Sequence, residues 1–303
     1  MRKLSLVVPA AALAAVVSFV GCGDDDGAGG AEVSVVATTT QVADLVRNVG
    51  GERVEVDAIL PPEADPHDYE PRPSDAAALS EADLVFRSGG EVDEWLGELI
   101  DSAGGDAAEV TLLDSVRKSG EDPHWWQDPN NAILAVRAIR AALVDVDPRG
   151  RVAYDRNAAS YLTKLRQLET GIEFCIRRVP ADKRKLVTTH DSLGYFAERY
   201  GIEVIGAVIP SLSTQAQPSA KDVDTLVRQI EDEGVEAVFP EVAVSQRLER
   251  AISRESGAEV GRELWTDSLG PEGSGAETYL NAMRANTSAL VEGMSGGRAS
   301  CDY

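Results

Sequence analysis

The sequence predicts an α/β fold of two lobes, each a mostly parallel sheet with flanking helices, joined by one long rigid α-helix. Three observations predict it. Strand-like and helix-like runs alternate, and the alternation starts afresh in the second half. One long helical pattern separates the two sets, and 303 residues with 43% hydrophobic content are enough for two cores.

The first set opens with Val33-Ser34-Val35-Val36-Ala37, a β-branched run, followed by apolar residues at Val42, Leu45, Val46 and Val49. That pattern is a strand leading into a helix, which Gly50-Gly51 closes. Strands are expected over 54–60, 83–87 and 110–113, and helices over 74–80 and 92–100. Asp128-Pro129 then starts a helix over 131–143.

In the long pattern Asp147 is placed to cap, Pro148 suits a first turn, and Tyr154, Ala158, Tyr161, Leu165, Leu168, Ile172 and Cys175 fall three or four apart. A helix over 148–178 spans about 46 Å at 1.5 Å per residue, longer than one small lobe needs. Pro180 stops it. The second set has strands over 185–189, 204–209, 237–240 and 259–265, with helices over 193–200, closed by Gly201, and 222–233, closed by Gly234. Ligands of such folds sit at the carboxyl ends of the strands, here in the cleft between lobes.

The N-terminus reads as a targeting segment. Arg2 and Lys3 precede an apolar run over 4–20, and Phe19-Val20-Gly21-Cys22 resembles the lipobox of bacterial lipoproteins, in which the cysteine is lipidated. An ordinary cleaved signal is the alternative; a membrane span is not expected, because the run is short of roughly 20 residues and no second one follows. The acidic, glycine-rich stretch after Cys22 cannot bury apolar area and should be a solvated tether. The expected division is a leader over 1–21, a tether over 22–31, an N-terminal lobe over 32–146, the linking helix over 147–179 and a C-terminal lobe over 180–303. The protein is then extracytoplasmic and anchored by lipid to the cell membrane.

Acidic residues number 51 against 29 basic ones, a formal net charge of −22. Such a chain repels nucleic acid and attracts cations in general. With Cys22 lipidated, Cys175 and Cys301 remain as an even pair able to form a disulfide in an oxidising compartment.

The chain has three histidines, and each falls where a strand ends or a loop opens. His67 and His124 lie within identical Asp-Pro-His triplets, and His190 follows Val187-Thr188-Thr189. Neutral imidazole is a favoured ligand of zinc, and a carboxylate adds charge to balance a divalent cation. A proline before each of the first two histidines presents it from a stiff turn. For a fourth ligand Asp267 and Glu241 compete, since both follow a predicted strand.

Several motifs together resemble a known family, the zinc/manganese solute-binding lipoproteins of ABC transporters, cluster A-I (ZnuA/TroA-like). They are DPHDYEPRPSD over 65–75, ADLVF over 82–86, DPHWWQDPN over 122–130, THDSLGYFAERYGI over 189–202, QPSAKDV over 217–223 and TDSLG over 266–270. The resemblance implies two lobes on a rigid helix, holding one divalent metal ion as transported substrate for delivery to a membrane permease and its ATPase by a monomeric receptor. It places the metal ligands on His67, His124, His190 and Asp267, puts Glu241 beside the site and makes Trp126 a packing residue in the cleft wall. Three nitrogens and one carboxylate favour zinc over manganese. The segment over 115–122 lacks the histidine-rich loop that many zinc receptors carry.

Two other functions compete with this one. A zinc metallohydrolase would leave a coordination position open for water, and no HExxH or GxSxG motif occurs, so the chain is not expected to be an enzyme. An adhesin of the same fold would use the outer surface.

Overall fold

The structure, a computed structural model, describes residues 31–301; the leader over 1–21, the expected lipidation site Cys22 and the tether as far as residue 30 lie outside them. Among the described residues no helix is long and apolar enough to cross a membrane.

The first sheet is wholly parallel, in the order β2-β1-β3-β4, from β1 (Val33–Ala37), β2 (Val54–Ala58), β3 (Leu84–Arg87) and β4 (Ala108–Thr111). Alternation along β1 explains why both faces are covered. Val33, Val35 and Ala37 join the main core with side chains of α1 (Thr40–Gly50), while Val36 packs with Leu79 of α2 (Pro73–Glu81) and Leu96 of α3 (Leu96–Ala103). Thr39 caps α1, its hydroxyl accepting from the Val42 amide at 3.3 Å. The expected 92–100 helix instead begins with a 3₁₀ turn, Glu91–Asp93, and α3 proper starts at Leu96. The Asp93 side chain accounts for the turn, since it is buried and accepts from the Thr38 hydroxyl at 2.8 Å and the Gly89 amide at 3.1 Å.

Asp128 and Pro129 start α4 (Pro129–Val146) as expected, the Asp128 carboxylate accepting from the Asn130 amide at 2.9 Å. The long helix α5 runs Arg151–Ile176, and Pro148–Gly150 form a 3₁₀ turn rather than its first turn. Asp147 does not cap it by a side-chain hydrogen bond, because its carboxylate is taken by Arg53 at 2.7 Å and by the Tyr154 hydroxyl at 2.8 Å. The seven residues expected on its inner stripe, Tyr154 to Cys175, are all buried.

The second sheet has the same plan. β5 (Lys185–His190) pairs in parallel with β6 (Glu203–Ile209), and β7 (Ala237–Val238) with β8 (Glu259–Val260). A parallel bridge joins the pairs, with the Phe239 amide donating to the Val187 carbonyl at 2.8 Å, so the strands run β6-β5-β7-β8. That is the order of the first sheet repeated. α6 (Gly194–Tyr200) and α7 (Ala220–Glu233) end at Gly201 and Gly234, both left-handed, at φ 66° and 60°. The expected strand over 259–265 is interrupted: Pro240 offers no amide to the ladder, and Leu264 rejoins only as a bridge to Glu241.

Two helices fall outside the sequence expectation, α8 (Arg247–Ser256) and α9 (Tyr279–Met294). In α9 most residues are buried, including Asn286 and Thr287, so no amphipathic stripe marks it. It packs on α5 and α1 and so ties the C-terminal chain to the first lobe. Beyond α9 the chain returns along it, the Ser288 hydroxyl donating to the Cys301 carbonyl at 3.0 Å, and the sulfur atoms of Cys175 and Cys301 meet, with Cα atoms 5.7 Å apart.

Candidate metal centre

His67 sits in the turn Pro66–Asp68 beyond β2. Asp65 caps that turn, one carboxylate oxygen accepting from the His67 amide at 2.9 Å. Its other oxygen accepts from the Thr214 hydroxyl of the opposite lobe at 2.6 Å. The second Asp-Pro-His triplet repeats the device, the Asp122 carboxylate accepting from the His124 amide at 2.9 Å. Here the same oxygen also takes the His124 ring, 2.7 Å from Nδ1. The proline thus sets a turn in which the aspartate two residues earlier holds the histidine backbone.

His190 ends β5, and its Nδ1 lies 2.6 Å from Glu241 Oε2. The other oxygen of Glu241 accepts from the His190 amide at 3.0 Å. A carboxylate only accepts, so each ring keeps a proton on Nδ1, and Nε2 is the nitrogen that turns inward and can offer its lone pair once the ring is neutral.

Asp267 follows the Glu241–Leu264 bridge. The carbonyl just before it, on Thr266, receives Trp126 Nε1 and Gln127 Nε2, each at 2.8 Å, and Gln41 Nε2 at 3.4 Å. Three donors of the first lobe therefore fix the backbone that carries an acid of the second.

These elements bring all four expected residues together. One ligand atom from each of His67, His124, His190 and Asp267 lies within 4.8 Å of all the others. Asp267 stands 3.6 Å from His67 Nε2, 3.6 Å from His124 Nε2 and 3.2 Å from His190 Nε2. The four side chains are at most 3% exposed. Glu241, the competitor, lies behind His190 and orients it, and the Thr266 hydroxyl donates to it at 2.8 Å. Trp126 forms wall, its ring edge-on to His124, and is also an anchor through its indole N–H. Gln41, Gln127 and Thr266 were not expected here. Gln127 adjoins the DPHWW motif, which is a signal of its place, whereas nothing near Gln41 in the sequence signals its role.

The electrostatics suit a cation. Burial alone would lower the His190 pKa, but Glu241 and Asp267 together hold it well above the ordinary histidine value. Burial would raise Asp267, and the facing His190 and His124 outweigh it, holding that carboxyl well below the usual carboxylate range. His67 Nε2 and Asp267 Oδ1 are buried without hydrogen-bond partners. Each such atom costs about 1–3 kcal/mol, and a cation among the four residues would satisfy both.

A family profile described as zinc-uptake complex component A, periplasmic, matches residues 35–293. The chain belongs to this family. The manganese-binding lipoprotein MntA of Halalkalibacterium halodurans is 34% identical over 283 residues, 91% of this chain and 94% of that protein. The manganese ABC transporter substrate-binding lipoprotein PsaA of Streptococcus pneumoniae is 29% identical, with 87% of this chain and 89% of that one aligned. Among solved structures, the periplasmic zinc binding protein TroA from Treponema pallidum superposes with a TM-score of 0.81 at 26% identity, covering 87% of this chain and 99% of its own. These zinc-uptake-family relatives are binding proteins, and the chain is likewise a binding protein rather than an enzyme.

Proposed function

We propose that this chain captures one divalent transition-metal ion between its lobes, on His67, His124, His190 and Asp267, and delivers it to the permease and ATPase of an ABC transporter. In this reading Cys22 carries the lipid anchor, the receptor is a monomer outside the cytoplasm, and lobes over 32–146 and 180–303 hold the ion between them with little hinge motion, because the long helix resists it. The carrying observation is the convergence of three imidazole nitrogens and one carboxylate from four loops, within 4.8 Å of one another and with side chains at most 3% exposed. Four protein ligands complete the usual shell of a non-catalytic zinc site, whereas a catalytic zinc keeps one position for water.

Zinc is the favoured ion. A tetrahedral set of three nitrogens and one oxygen is ordinary for zinc, and such a site binds zinc more tightly than manganese by the general order of divalent affinities. The manganese reading is supported by the names of two relatives, MntA and PsaA, and by Asp267, both of whose oxygens face imidazoles and so can chelate. Native mass spectrometry with elemental analysis of protein isolated from cells supplied with both metals tests both points. One zinc per chain, lost in His190→Ala and Asp267→Ala, is expected. Manganese as the dominant ion would decide for the second reading, and metal content unchanged in both variants would sink the site itself.

A further inference from the structure

On the second lobe a groove of about 770 Å³ opens between β6, the loop over 210–219 and α8. Small-molecule sites span roughly 300–1,000 Å³. Its walls are largely apolar, from Val208, Ile209, Pro218, Val244 and Leu248.

The charged groups are few and sorted by sign. Arg247, Arg250 and Arg254 recur at i, i+3 and i+7, which sets three guanidinium groups in a row along α8. All three are exposed, Arg250 donates to the neutral Gln246 side chain, and none forms an ion pair among the described residues. In a chain of net charge −22 an unpaired basic row is a local attractor for an anion, and guanidinium matches a carboxylate in shape. At the floor lies Glu249, 1% exposed. Its Oε1 accepts from the Thr189 hydroxyl at 2.6 Å, but its Oε2 is buried without a hydrogen-bond partner. A buried acceptor left unpaired marks a place where a donor is wanted.

We propose that this groove is a second ligand site, which takes a small organic carboxylate with an apolar body and a hydroxyl or ammonium donor. The carboxylate sits on the arginine row, the body on the apolar walls, and the donor reaches Glu249. A concave floor with a buried acceptor suits a small molecule better than a protein segment, which would need only the exposed row. The groove shares structure with the candidate metal centre: Thr189, on its lining, precedes His190, and Thr214, also on its lining, is the residue that donates to Asp65.

Three probes separate the parts of this proposal: 4-hydroxybenzoate, benzoate, which lacks the donor, and tyramine, which lacks the anion. Calorimetric titration uses the mature protein stripped of metal, so that no probe can coordinate a bound ion. The expected result is one 4-hydroxybenzoate per chain with a Kd below about 1 mM, and binding weaker by roughly tenfold for each of the other two. The exposed-residue double variant Arg250→Gln, Arg254→Gln, with its fold checked by circular dichroism, should lose roughly tenfold in affinity for 4-hydroxybenzoate. No saturable binding below about 10 mM, equal affinity for all three probes, or affinity untouched by the arginine changes would overturn the proposal. Binding of hexaglutamate that 4-hydroxybenzoate cannot displace would also overturn it, assigning the row to an acidic macromolecule.

Discussion

The indole nitrogen of Trp126 donates to the carbonyl oxygen of Thr266 at 2.8 Å. One partner lies two residues after His124 and the other one residue before Asp267, so a single bond ties two candidate ligands of opposite lobes. Trp126 is itself held from behind, since the Tyr279 hydroxyl donates to its carbonyl at 2.6 Å.

Trp126→Phe keeps the aromatic wall and removes the donor, and Gln127→Leu removes the neighbouring one. Each should weaken zinc binding by roughly tenfold, the worth of one buried hydrogen bond, and the double variant by more than either. Competition against a chelating dye gives the affinities. The cobalt-loaded protein gives a second readout, for a shift of its visible bands in the variants reports a displaced Asp267. Unaltered affinity together with an unaltered spectrum would mean that Asp267 is held without these donors.

Glu241→Ala leaves the His190 ring free to turn and strips partners from the His190 amide and the Thr266 hydroxyl. Zinc affinity should fall by about 10- to 100-fold, the usual effect of removing the group that orients a metal-binding histidine. Glu241→Gln retains an acceptor for Nδ1 and should recover most of the loss. If the glutamine variant binds as weakly as the alanine one, the charge of Glu241 matters more than its position.

Much of this was legible in the chain. Histidine is scarce and two copies sit in one triplet, so the candidate imidazoles stood out, and the turn chemistry of Asp-Pro predicted how they are presented. The acid did not stand out, because Glu241 and Asp267 both follow strand segments and differ only in which side of His190 they occupy, a fact of three-dimensional packing. Helix α5 announced itself by a regular stripe from Tyr154 to Cys175, yet its start moved to Arg151 because the carboxylate of Asp147 went to Arg53 and Tyr154. Helix α9 gave no stripe, since burial on most sides removes the polar face that periodicity needs. The interlobe donors Gln41 and Gln127 are ordinary amides until the fold places them on one carbonyl.

Cys175 and Cys301 are 126 residues apart and their sulfurs meet. A disulfide there should stabilise the protein by about 2–4 kcal/mol, chiefly by restricting the unfolded chain. Thermal melting with and without reductant should show a lower midpoint when reduced, and the Cys175→Ser, Cys301→Ser variant should melt at the reduced value and no longer respond to reductant. Thiol titration of the denatured, unreduced protein that finds both cysteines free would rule the bridge out.

The raised His190 pKa makes two opposite pH slopes. The imidazole ordinarily titrates near 6.5, and in the folded protein Glu241 and Asp267 move it well above that against the effect of burial. A group whose folded pKa is raised contributes stability that is fully present below the unfolded value and lost as pH rises through the folded one. The metal-free protein should therefore lose His190's contribution as pH rises above about 6.5, which melts of wild type against His190→Gln can isolate. Metal binding runs the other way, because the ion needs the neutral ring and must displace its proton. Zinc affinity should thus fall by about tenfold or more for each unit that pH drops below the folded pKa of His190, and it should keep falling from pH 7.5 to 5. Proton release measured by calorimetry in buffers of different ionisation enthalpy checks the same point, with a proton expelled from His190 on zinc binding wherever the metal-free ring is protonated. Affinity that stays flat across that range would show that His190 does not hold the ion.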